Sequence, residues 1–120
     1  MAGEKVIFAV VAELMLGVRI EEAGKSLGAS VETGTVSGDF GVQIMGVKPS
    51  VVVADLAVEG LDIGALAAAA RATGTPLIGF YPHVDTDLRR RARAAGVERL
   101  YPRSRFLREL PVILRGALEG

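Results

Sequence analysis

The stretch Ser50–Asp62, SVVVADLAVEGLD, constrains the fold more than any other part of the chain. Val51, Val52, Val53 and Ala54 follow one another without polar alternation. An apolar run of that kind suits a short strand in the middle of a parallel sheet, covered by helices on both faces. Asp55 interrupts it. An ionised carboxylate is costly inside such a strand, which places Asp55 at the strand's carboxyl end, where open α/β sheets hold their ligand crevices. Glu59, Gly60 and Asp62 then turn the chain into LDIGALAAAARATG, an alanine-rich helix with Asp62 as its N-cap. The layout is that of an acidic site at a strand mouth.

The rest of the chain alternates strand and helix patterns. Lys5–Ala12 reads as a buried first strand, and Glu13–Leu27 as a helix with Leu16, Ile20, Ala23 and Leu27 on one stripe, closed by Gly28. Ala29–Thr33 is a short strand at an edge, since Ser30 and Glu32 alternate with Val31. SGDFGVQIMGVKP is the loosest helix, capped by Ser37 and weakened by Gly38, Gly41 and Gly46. Thr75–Tyr81 is a fourth strand, Asp85 caps a helix over Thr86–Ala95 that Gly96 ends, and Val97–Pro102 is a fifth strand. The last helix, Phe106–Leu118, buries Leu107, Leu110, Leu114 and Ala117, and Pro111 inside it predicts a late start or a kink near Leu107.

These patterns predict one α/β domain over residues 1–120, a doubly wound five-stranded parallel sheet in the order 2-1-3-4-5 with helices on both faces. Composition agrees: half the residues are hydrophobic but only six are aromatic, so the core is built from Val, Leu, Ile and Ala. The chain lacks cysteine, which excludes thiol catalysis, disulfides and thiolate metal sites. No basic region precedes its first apolar run, which is too short to span a bilayer; the reading is a soluble, cytoplasmic chain with no membrane partner.

KVIFAVVAELM, VVVADLAVEGLD, PLIGFYPHV and ERLYPRSRF, in that order, resemble the receiver domain of bacterial response regulators, the CheY-like branch of the flavodoxin-like fold, over essentially the whole chain. In that family an acidic pair ends the first strand, a phosphoacceptor aspartate the third, a Ser or Thr the fourth and a Lys-Pro pair the fifth. The resemblance puts Asp55 at the phosphoacceptor position. Val10 and Val11 stand where the acidic pair belongs, with only Glu13 following; Tyr81 or Phe80 takes the Ser/Thr position, and Tyr101 the lysine's, with Pro102 after it. Tyr81 and Tyr101 are thus the switch-position candidates.

Phosphoryl transfer to a carboxylate depends on stabilising charge on the equatorial oxygens, a task that Mg2+ largely fills. One aspartate beside two valines offers such a cation too few oxygens, and a tyrosine in the lysine's place leaves no cation to grip a phosphate. The resemblance then implies a degenerate receiver: a stand-alone signalling module without enzymatic activity, metal or cofactor, acting through a protein partner. The alternative is an active response regulator that takes phosphate on Asp55 from a histidine kinase, with Mg2+ as cofactor. Competing motifs are weaker. Gly24-Lys25-Ser26 has no strand before it and lacks the first glycine of a phosphate loop, and the single histidine, His83, beside Asp85, makes no metal cluster.

Charge is unevenly divided although it sums to zero. Residues 1–60 carry four Lys or Arg against eight Asp or Glu, and residues 61–120 carry ten against six. Arg89, Arg90, Arg93, Arg103 and Arg105 are the candidates for partner binding, the partner being a histidine kinase, a downstream signalling protein or a second copy of the chain. Zero net charge and the lack of an aromatic platform argue against nucleic acid.

Overall fold

The computed structural model describes residues 4–119. Strands β1 (Lys5–Val10), β2 (Ala29–Thr33), β3 (Val51–Asp55), β4 (Leu77–Tyr81) and β5 (Arg99–Pro102) alternate with helices α1 (Leu14–Ser26), α2 (Phe40–Val47), α3 (Ile63–Ala72) and α4 (Thr86–Ala94). Two further helices, α5 (Arg103–Arg108) and α6 (Leu110–Glu119), end the described part. All strand pairs are parallel, in the order β2-β1-β3-β4-β5. Residues 51–54 of β3 are wholly buried, as the unbroken apolar run predicts.

Alternation along the strands sorts their side chains into two layers. Ile7, Val51, Val53, Ile78 and Phe80 pack with Leu16 and Ile20 of α1, Phe106 of α5 and Leu110 and Leu114 of α6. Phe8, Val10, Val52, Ala54 and Tyr81 pack with Phe40 and Ile44 of α2, Ile63, Leu66 and Ala67 of α3, and Leu88 and Ala92 of α4. Phe106 lies parallel to Phe80, with ring centroids 4.3 Å apart and planes 7° from coplanar, and so seats α5 on the sheet.

The predicted caps hold for two helices. Asp62 accepts the Ala65 N–H at 2.9 Å and Asp85 the Leu88 N–H at 3.0 Å. For α2 the expected Ser37 cap is replaced by Asp39, which accepts the Val42 N–H at 3.1 Å. The helix starts at Phe40, so its N-cap position falls on Asp39, and Ser37 lies in the turn before it.

The C-terminal helix starts earlier than expected and is broken. It begins directly after Pro102 and divides at Glu109, where φ is −107° and ψ 18°. Pro111 accounts for this: it has no N–H for the carbonyl of Leu107 four residues back, and its ring crowds that carbonyl. Arg19 of α1 satisfies the group instead, donating from Nη2 to the Leu107 oxygen at 3.1 Å. Of the expected stripe, Leu110, Leu114 and Ala117 are buried, whereas Leu107 only packs against the core's edge. Among the described residues no helix is long and apolar enough to cross a membrane.

Candidate functional site

Asp55 is the last residue of β3 and lies two positions beyond Val53. It therefore faces the layer of α1 and α5. Two connections end close to it there. The chain leaves β1 and enters α1 through Val11, Ala12 and Glu13, with Glu13 in the N-cap position; it leaves β5 and enters α5 with no loop at all, so that Arg103 follows Pro102 directly.

Arg103 joins the two connections to the aspartate. Its Nη2 donates to Oε2 of Glu13, and its Nη1 lies 3.8 Å from Oδ2 of Asp55. The other oxygen of Asp55, Oδ1, accepts the N–H of Ala57 at 3.0 Å. Asp55 is 7% exposed and is the one buried charged side chain among the described residues. Such a group is tolerated when it is both hydrogen-bonded and paired, and Ala57 and Arg103 supply the two conditions.

The expectation that a tyrosine in the lysine's place leaves no cation to grip a phosphate needs one change, since a guanidinium from the next element stands near Asp55. Counting from Pro102 assigns the lysine position to Tyr101, but the cation comes from the residue after the proline, whose long side chain reaches back over the strand end. Arg103, read from sequence as a partner-binding residue, is turned into the crevice. Arg105 also has company: its guanidinium lies 5.3 Å from the Tyr101 ring centroid, and its Nε is 3.2 Å from Glu109 Oε2.

The remaining candidates are dispersed. Tyr81 is buried in the opposite layer, against α3 and α4, while Phe80 is the residue in register with Asp55. Tyr101 is half-buried on the edge strand. Arg89, Arg90 and Arg93 are exposed along α4; Arg90 and Arg91 approach Asp87 at 3.8 and 3.6 Å, pairs too solvated to contribute much. His83 is exposed in the turn after β4. Gly24-Lys25-Ser26 ends α1, so it lies at the wrong end of a helix for binding phosphate. Sequence reading missed the exposed apolar residues Leu14 and Met15, at the start of α1 close to this end of the sheet, because periodicity cannot tell which face of a first turn stays uncovered.

The Mg2+ implied by the receiver resemblance does not fit the residues present. Val10 is buried in the layer opposite Asp55, and Val11, on the Asp55 side, packs against the apolar core. That leaves Glu13 and Asp55 as the crevice carboxylates, and the guanidinium between them stands where the ion would need their oxygens free. Among the described residues no group of three or more His, Cys, Asp or Glu side chains could hold a metal.

No family model and no curated protein matches the sequence. Solved structures do. A response regulator from Hahella chejuensis superposes with a TM-score of 0.80 at 18% identity, over 95% of this chain and 95% of that one. A response regulator receiver protein from Burkholderia phymatum gives 0.72 at 19% identity, over 97% of this chain and 96% of the other. The receiver domain of a sensor histidine kinase from Pseudomonas aeruginosa PAO1, whose structure has a magnesium ion coordinated in the active-site cleft, gives 0.73 at 20% identity, over 98% and 100%. From β1 to α6 the chain has the CheY-like, flavodoxin-like fold of the response regulator receiver domain.

Proposed function

We propose that the chain is a receiver-like signalling module that acts by protein–protein contact, outside the conventional Mg2+-dependent phosphorylation cycle. The observation that carries this reading is the occupation of Asp55: one oxygen is held by the Ala57 amide, the other faces Arg103, and apolar Val11 stands where a metal-binding carboxylate is needed. A nucleophilic carboxylate oxygen must be free to approach phosphorus in line. In this crevice the carboxylate is buried and already faces a guanidinium that it shares with Glu13. No catalytic residue is assigned, and no cofactor. Output then goes to a partner protein, for which the exposed arginines of α4, Arg89, Arg90 and Arg93, offer a basic face; the partner is a kinase, a downstream signalling protein or a second copy.

One observation favours the other reading, an active regulator phosphorylated on Asp55 by a histidine kinase. Arg103 is a guanidinium beside the acceptor, and guanidinium groups bind phosphoryl oxygens well. The experiment that separates the two is incubation with a small phosphodonor, with and without Mg2+, followed by intact-mass measurement. The expected result is no adduct. A stoichiometric single phosphate, lost in Asp55→Asn, would establish the active regulator instead.

A further inference from the structure

We infer that Arg103 is the resident cation of the crevice: its guanidinium holds the place between Glu13 and Asp55 that a divalent metal needs, and it makes the chain indifferent to Mg2+. The inference rests on the reading that Asp55 stands outside the Mg2+-dependent cycle, and it names the residue that keeps it there.

Three observations carry it. The first is rigidity at the root of the side chain. Pro102 is still in register with Tyr81 of β4 and Arg103 is the first residue of α5, so the sheet fixes where the arginine starts. The second is division of labour within one guanidinium: Nη2 serves Glu13 and Nη1 faces Asp55, and only 35% of the side chain is exposed. A planar fork with several donors can address two carboxylates at once, which a lysine's point charge does less well. The third is the absence of substitutes. Among the described residues, Lys5 donates to the Leu118 carbonyl, Arg19 to that of Leu107, and Arg105 pairs with Glu109, so Arg103 is the one cation with ion pairs to Glu13 and Asp55.

The electrostatic consequence is direct. Two carboxylates and one guanidinium leave a single net negative charge, and the oxygens a metal would use are turned toward Nη donors. An incoming divalent ion would have to displace a like charge that is tethered and cannot diffuse away. Removing the guanidinium leaves Glu13 and Asp55 without their shared counter-charge, and a small hard cation is then the natural replacement.

The test compares wild-type protein with Arg103→Gln by thermal melting in Mg2+ and by paramagnetic broadening of backbone amides in Mn2+. In the wild type, about 10 mM Mg2+ leaves the melting temperature unchanged, since a ligand raises it only by binding the folded state, and Mn2+ leaves the Ala57 amide sharp. Arg103→Gln melts lower without metal, regains part of the loss in Mg2+, and shows broadening at Ala57; adding Asp55→Asn removes both responses. Should Arg103→Gln fail to fold, Arg103→Met, which keeps the aliphatic stem, takes its place. Wild-type binding of Mg2+ at about 1 mM or tighter, roughly 4 kcal/mol, overturns the inference. So does a folded Arg103 variant as blind to metal as the wild type. A phosphate adduct on a metal-blind wild type would overturn the proposed function and leave this inference standing, whereas metal binding without an adduct would do the reverse.

Discussion

Single residues set the geometry of this molecule where the backbone is least permissive. Gly96 ends α4 at φ 96°, a conformation that L side chains rarely adopt, and a Cβ there would collide with the guanidinium of Arg71. That guanidinium is itself engaged, donating to the Ala95 carbonyl at 3.1 Å and so closing the end of the helix. Gly96→Ala should therefore lose both the relaxed turn and the cap, and is expected to destabilise by about 1–3 kcal/mol. Urea unfolding checks this as a lower midpoint with an unchanged slope. At this scale the sequence was legible where chemistry is local. Asp62, Asp85 and Gly96 announce helix ends through their immediate neighbours. Arg103 does not, because its partner Glu13 is 90 residues away and nothing in the run of arginines distinguishes the one that turns inward.

Among the elements, the α5–α6 pair shows how a local defect is repaired from a distance. Pro111 predicts a disturbance near Leu107 from sequence alone, but neither the break at Glu109 nor the donor that compensates for it can be read there, since Arg19 meets Leu107 only after α1 and α5 have packed on one face. The repair implies coupling. Arg19→Met should cost about 1 kcal/mol in the parent. In a Pro111→Ala background, where residue 111 can donate to the Leu107 carbonyl itself, the same change should cost clearly less. A double-mutant cycle reads the difference as an interaction energy; equal costs in both backgrounds would show that Arg19 merely lies over the carbonyl. Strand existence, type and order were legible because each run is strongly patterned. Strand ends were not: β1 stops at Val10 and β4 starts at Leu77, each two residues inside the stretch expected from sequence. Val11 and Ala12 continue the apolar pattern past the end of β1, where they lie half-buried and exposed, so an apolar run by itself does not mark the boundary.

At the scale of the whole molecule, charge and layering have separate consequences. The arginines of α4 are exposed, and exposed charges of this kind act on association rate and salt dependence more than on tight contact. Replacing Arg89, Arg90 and Arg93 together by Glu should leave the fold intact, since exposed substitutions usually cost no more than about 0.5 kcal/mol each. It should abolish partner capture or self-association, measured by sedimentation or pull-down at low and high ionic strength. Equal binding by parent and mutant at both salt concentrations would reduce these arginines to a solvated face.

Layering bears on how the chain is made. The helices of the α2–α4 layer leave the ribosome one after another, and they can close over the sheet as soon as β4 and α4 are available. The other layer is split between the two ends of the sequence: Leu16 and Ile20 of α1 wait for Phe106, Leu110 and Leu114, and Lys5 for the Leu118 carbonyl. An early helix with an apolar stripe and a delayed partner is the kind of surface that attracts chaperones and neighbouring chains during synthesis. A chain truncated shortly before Phe106 and released should thus be sticky on one face and finished on the other.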